Sequence, residues 1–284
     1  MDLLVSTQWL ASEMGASDLR VVDATLFLPG SDRDPQAEYD AGHIPGAFFL
    51  NLPALIDSND PRPGMVPPAE KFASRMAALG LGDGSRIVIY DNSPLRTSAR
   101  AWWMFHLFGA HNVAILDGGM GKWLAEKRPL ESGKPKTRHR HFTVWKDEAM
   151  IVTKADVLTN IATQSAQVVD ARSMSRFTGE DPEPRAGMAS GHIPGSVCLP
   201  YSRLFNADGT WKRGHELRGL FHEAGIDLER PLIVSCGSGV TAADVLFAAH
   251  LLGKDDVKLY DGSWSEWGAD PATPKATGKP TGPA

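Results

Sequence analysis

The sequence predicts an α/β protein made of two tandem copies of one unit, each a mainly parallel sheet with helices on both faces. Two observations predict this. First, short strings recur in the same order at nearly constant spacing. VVDA stands at 21–24 and 168–171, GHIPG at 42–46 and 191–195, and LDGGMGKW at 116–123 faces YDGSWSEW at 260–267, with offsets between 144 and 149. Ordered self-similarity at a fixed period marks a duplicated structural unit. Second, short β-branched runs alternate with segments of helical period, the pattern of a parallel sheet covered on both faces.

The elements follow in order. In the first copy VVDA (21–24) and RIVIYD (86–91) read as strands, and AEKFASRMAALG (69–80) and RTSARAWWMFHLFG (96–109) as helices. In the second copy AQVVDA (166–171), GSVCLP (195–200), RPLIVSC (230–236) and VKLYDG (257–262) read as strands. HELRGLFHEAG (215–225) and TAADVLFAAHLLG (241–253) carry apolar residues at helical spacing. The copies are expected at 1–130 and 150–268, joined by a linker at 131–149 whose start is rich in Gly, Pro and Lys. Within the linker, HFTVW (141–145) alternates like a strand. The Pro/Gly/Thr-rich tail at 269–284 is expected to be extended or disordered, since it lacks the apolar residues to form a core.

Composition narrows the function. The 284 residues are 42% hydrophobic and 22% charged with a net charge of −5, so neither nucleic acid nor a membrane is an expected partner. The N-terminus lacks the basic and apolar regions of a signal peptide, and a cytoplasmic location is expected. Two cysteines make neither a disulfide framework nor a zinc site, and they fit a reducing compartment.

One cysteine stands where chemistry is expected. Cys236 ends the RPLIVSC strand, Gly237-Ser238-Gly239-Val240-Thr241 follows, and a helix begins. In parallel sheets ligands bind beyond the carboxyl ends of strands. A glycine-broken loop there turns its N–H groups inward as an anion nest, and the helix adds the positive end of its dipole. A thiolate at Cys236, at the bottom of that nest, is then stabilised as a reactive nucleophile. The alternative is an inert cysteine closing a core strand. Cys198, on the GSVCLP strand, reads as inert in that way. The first copy carries Asp91 at the position of Cys236, so its own loop is expected to be catalytically dead.

With these motifs, residues 1 to about 268 resemble a two-domain sulfurtransferase of the rhodanese superfamily, two tandem rhodanese-like domains of which only the second is active. CGSGVTA (236–242) is similar to the branch of that superfamily that uses 3-mercaptopyruvate as sulfur donor. The thiosulfate-using branch carries basic residues after its cysteine, whereas Gly237 and Ser238 are neutral, which favours a singly charged donor. The resemblance assigns Cys236 as nucleophile, Ser238 as a supporting hydroxyl, residues 237–241 as the loop that holds a persulfide, and Arg176 and Arg185 as substrate-binding arginines. The latter two could instead pair with Glu180, Asp181 or Glu183. Arg172 is assigned to structure. The implied acceptor is cyanide, thioredoxin or a small thiol, and the implied mechanism needs no metal or organic cofactor.

In some family members a His and an Asp from the first domain assist the serine. Here Gly64 stands at the His position and Pro53 near the Asp position, so that relay is absent. Three readings compete with the leading one: a thiosulfate:cyanide sulfurtransferase, a persulfide carrier for a partner protein, and a cysteine phosphatase. The last lacks the arginine that closes such loops, since Ala242 holds the sixth position after Cys236. The duplicated His43 and His192 read as turn-stabilising, Asp23 and Asp170 as strand-end turn residues, and Trp102, Trp103, Trp264 and Trp267 as packing.

Overall fold

The computed structural model describes residues 1–28 and 30–279. They form two compact units. The first comprises Met1–Ser58, Val66–Asp147 and Asn206–Trp211, and the second comprises Asn59–Met65, Glu148–Phe205 and the chain from Lys212 onward.

The first unit runs β1 (Leu4–Val5), α1 (Thr7–Glu13), β2 (Leu19–Asp23), α2 (Pro35–Ala41), β3 (Ala47–Phe49), α3 (Ala69–Ala78), β4 (Arg86–Tyr90), α4 (Ser98–Leu107), β5 (Val113–Leu116) and α5 (Gly119–Ala125). Its five-stranded sheet has the order β1-β5-β4-β2-β3, with every pairing parallel. The second unit repeats it with β6 (Ile151–Val152), α6 (Lys154–Thr163), β7 (Gln167–Asp170), α7 (Met174–Thr178), β8 (Val197–Cys198), α8 (Gly214–Glu223), β9 (Leu232–Ser235), α9 (Ala242–Leu251), β10 (Val257–Tyr260) and α10 (Ser263–Trp267). Its order is β6-β10-β9-β7-β8, again all parallel.

The local reasons are legible. All four residues of β5 and of β9 are buried, as strands covered on both faces must be. Helix α2 starts with Asp34 capping two backbone N–H groups and Pro35 in the first turn. A reciprocal capping box of Thr153 and Asp156 starts α6. Helix α9 is buried from Ala242 to Ala249, and its alanines let it lie close against the sheet. Trp102, Trp103, Trp264 and Trp267 are all core residues.

The duplicated GHIPG turns do the same work twice. The Nδ1–H of His43 donates to the Tyr39 carbonyl and that of His192 to the Phe177 carbonyl, both at 2.8 Å, with the imidazoles stacked on those rings. The backbones of His43 and His192 form single antiparallel bridges to Glu131 and Ala276. Space explains the leading glycine of each turn. A Cβ on Gly42 would lie 3.1 Å from Leu130, and one on Gly191 would strike the Ala276 carbonyl.

These bridges correct the expected linker and tail. Residues 131–147 belong to the first unit, where Phe142 is buried against Phe72 and Phe105. HFTVW is not a strand there; the Asp83 N–H donates to the His141 carbonyl, and Thr143 bonds the Asp83 carboxylate. The tail is docked through Gly278: Thr273 is buried, the Trp267 indole N–H donates to the Pro274 carbonyl, and the Gly278 N–H donates to the Thr178 carbonyl. Composition favours an open tail, but backbone pairing and a few small side chains suffice to hold it. Residues 280–284 lie outside the described residues.

Candidate active site in the second unit

The central strand β9 delivers Cys236, which is 1% exposed. The copies superpose residue by residue at this point. The Ser235 carbonyl accepts from Ala171 N–H as that of Tyr90 accepts from Ala24 N–H. The Cys236 carbonyl accepts from Trp264 N–H (2.9 Å) as that of Asp91 accepts from Met120 N–H (3.0 Å). Cys236 and Asp91 are therefore equivalent positions.

In the first unit the Asp91 carboxyl group occupies its own loop, accepting from the N–H groups of Ser93 (2.8 Å) and Ser98 (2.9 Å). Burial pushes that carboxyl up, and the Ser98 and Ser93 donors oppose the rise. The strand-loop-helix turn thus points donors at an acidic side chain on the first residue past the strand.

In the second unit the loop is clamped from α10. The Cys236 N–H donates to Ser263 Oγ (3.2 Å), whose hydroxyl donates to the Tyr260 carbonyl (2.7 Å). Ser263 is fully buried at φ +48°, a conformation uncommon outside glycine, and its counterpart Gly119 has φ +55°. Next, the Gly237 carbonyl accepts from both the N–H (2.9 Å) and the hydroxyl (2.6 Å) of Ser265.

The two loop glycines serve different ends. Gly239 has the positive φ, +75°, that curls the loop. Gly237 does not; it is needed for room, because a Cβ there would lie 3.1 Å from Arg176 Nη2. Ser238 and Val240 are half-buried, and Thr241 lies at the start of α9.

The three arginines of residues 172–185 separate. Arg172 is buried and bonds both oxygens of Asp170, the Glu183 carboxylate (2.6 Å) and the Gly191 carbonyl (2.8 Å), with its guanidinium 4.4 Å from the Trp264 ring centre. Arg176, on α7, reaches Glu183 through Nε (3.3 Å) and Nη2 (2.5 Å), and the same Nη2 lies over Gly237. Arg185 is exposed and donates to Ser265 Oγ (2.8 Å). Arg176 directly, and Arg185 through Ser265, thus converge on the residue after the cysteine. Of the acids weighed as partners, Glu183 holds Arg176.

Sequence reading missed Glu183 as a shared carboxylate and Ser263 and Ser265 as loop clamps. It also missed Arg62, whose segment Asn59–Met65 groups with the second unit, where it pairs with Asp60 (2.6 Å) and Glu266 (3.0 Å). The duplication carried one usable signal: Ser263 stands where the first copy has glycine. Cys198 lies on β8 with its thiol donating to the Arg172 carbonyl (3.5 Å), and burial pushes that thiol up to about 12. Among the described residues no helix is long and apolar enough to cross a membrane.

Comparison with known proteins gives the family and the fold. The Rhodanese-like domain family matches residues 6–126 and 153–270. The chain is 43% identical over 270 residues to human 3-mercaptopyruvate sulfurtransferase, spanning 93% of this chain and 91% of that one. It is 39% identical over 285 residues to thiosulfate sulfurtransferase of Cricetulus griseus, spanning 97% and 96%. The crystal structure of SseA from Escherichia coli, a 3-mercaptopyruvate sulfotransferase, matches with a TM-score of 0.85 at 38% identity, covering 93% of this chain and 99% of that one.

Proposed function

From the premise that this chain belongs to the rhodanese family, with the domain in tandem, we propose that it is a 3-mercaptopyruvate sulfurtransferase acting through Cys236. The observation that carries this reading is the convergence of Arg176 and Arg185 on Gly237, beside the cysteine. A planar guanidinium suits a carboxylate, and 3-mercaptopyruvate bears its carboxylate two carbons from the carbon that holds its sulfur.

In the proposed reaction Arg176 and Arg185 bind the donor carboxylate. The Cys236 thiolate attacks the donor sulfur, the sulfur–carbon bond breaks, and its electron pair leaves with pyruvate as the enolate, which takes up a proton. The N–H groups of residues 237–241 hold the resulting persulfide, as the matching turn of the first unit serves Asp91. Ser238 lends a hydroxyl to the loop. A thiol acceptor, thioredoxin or a small molecule, then attacks the outer sulfur and releases the Cys236 thiolate. In an assay cyanide takes the thiol's place.

Turnover on the two donors tests this reading. At equal concentrations of cyanide, kcat/KM for 3-mercaptopyruvate exceeds that for thiosulfate, and intact mass shows one added sulfur after the donor alone. Faster turnover of thiosulfate would replace the donor assignment; a persulfide without multiple turnover would make the chain a carrier. A subtler variant checks the arginine. Gly237→Ala brings a methyl against the Arg176 guanidinium, which Glu183 holds in place. It raises KM for 3-mercaptopyruvate severalfold and leaves the melting temperature nearly unchanged.

A further inference from the structure

Arg176 is not a free cation. Its guanidinium is engaged through two nitrogens by Glu183, whose side chain is 1% exposed and also takes a bond from buried Arg172. Arg172 in turn closes on Asp170. The cluster against the loop therefore holds three cations, Arg172, Arg176 and Arg185, and two carboxylates, Asp170 and Glu183. One positive charge is left over. Arg62, in the Asn59–Met65 segment, is matched by Asp60 and by Glu266 of α10 and adds no positive charge to that cluster.

A cluster with one surplus charge, set beside a cysteine that is itself buried, accommodates a monoanion and leaves the second charge of a dianion unmatched. In a poorly solvated site an unmatched charge is strongly disfavoured. We propose that Glu183 is the residue that sets this limit, a specificity determinant that makes the site select singly charged sulfur donors over doubly charged ones. The proposal rests on the reading of Cys236 as the sulfur-accepting nucleophile. It assigns Glu183 no contact with the donor: Glu183 acts through Arg176, cancelling most of its charge while holding it over Gly237.

The test is the ratio of kcat/KM for 3-mercaptopyruvate to that for thiosulfate. Glu183→Gln keeps the side-chain shape and removes one negative charge. The ratio falls at least tenfold toward thiosulfate, while Glu183→Asp, which keeps the charge, leaves it within about twofold of the parent, less than 0.5 kcal/mol. A merely structural Glu183 would lower both donors together in either variant, and an unchanged ratio in Glu183→Gln overturns the proposal. Should Glu183→Gln fail to fold, the parent chain still decides. Pyruvate, a monoanion, then inhibits turnover at concentrations at least tenfold lower than sulfate does. Equal or stronger inhibition by sulfate overturns the proposal. Failure of the underlying reading looks different: the parent chain acquires no sulfur on Cys236 from either donor.

Discussion

Cys236→Ser abolishes sulfur uptake from 3-mercaptopyruvate and lowers turnover by at least about a thousandfold, as removal of a catalytic nucleophile does. The fold survives. The hydrogen bonds that clamp residues 236 and 237 run through their backbone atoms, to Ser263, Trp264 and Ser265. The first unit makes the same turn with Asp91, so the scaffold does not require sulfur there. Intact mass after incubation with the donor shows one extra sulfur on the parent chain and none on the variant, with matching circular dichroism. An adduct that persists in Cys236→Ser would move the nucleophile elsewhere. Cys198 is the other cysteine of the chain, and it is a poor candidate: it is buried and its thiol is pushed up to about 12.

The architecture was legible because it is written twice. Repeats at constant offset expose the duplication, and the β-branched runs at 86–91 and 230–236 give the strands that carry Asp91 and Cys236. Pattern reading finds these because a strand covered on both faces must be apolar without interruption. It misses what depends on a partner distant in sequence. Segment 131–147 looked like a linker because its composition is polar, yet pairing at His43 and burial of Phe142 tie it to the first unit. The positions of Arg176 and Arg185 were readable only through the family resemblance. Their charges could not be read at all, since composition does not show which acid each arginine meets. Gly237 was expected for its conformational freedom, but its ordinary φ and the guanidinium above it show that the constraint is space.

The arginines of the 172–185 segment are alike in sequence and opposite in expected effect. Arg172→Ala destabilises the second unit by about 3–5 kcal/mol, the usual result of stranding buried charge. Without it, Asp170, 4% exposed at its side chain, loses the guanidinium that closes on it, and Glu183, 1% exposed, keeps only Arg176. The Gly191 carbonyl loses its donor, and Trp264 loses the guanidinium packed on its face. Thermal melting falls on the order of 10 °C. Arg176→Ala behaves the other way. Its side chain is 27% exposed and Glu183 keeps Arg172 as partner, so stability changes by about 1 kcal/mol or less. KM for 3-mercaptopyruvate rises roughly tenfold or more, as loss of a charge-assisted hydrogen bond of about 1.5–3 kcal/mol requires. Melting curves and steady-state kinetics on the two variants separate the roles. A stable Arg172→Ala would mean that the cluster relaxes or admits water, and an Arg176→Ala with unchanged KM would remove Arg176 from the donor site.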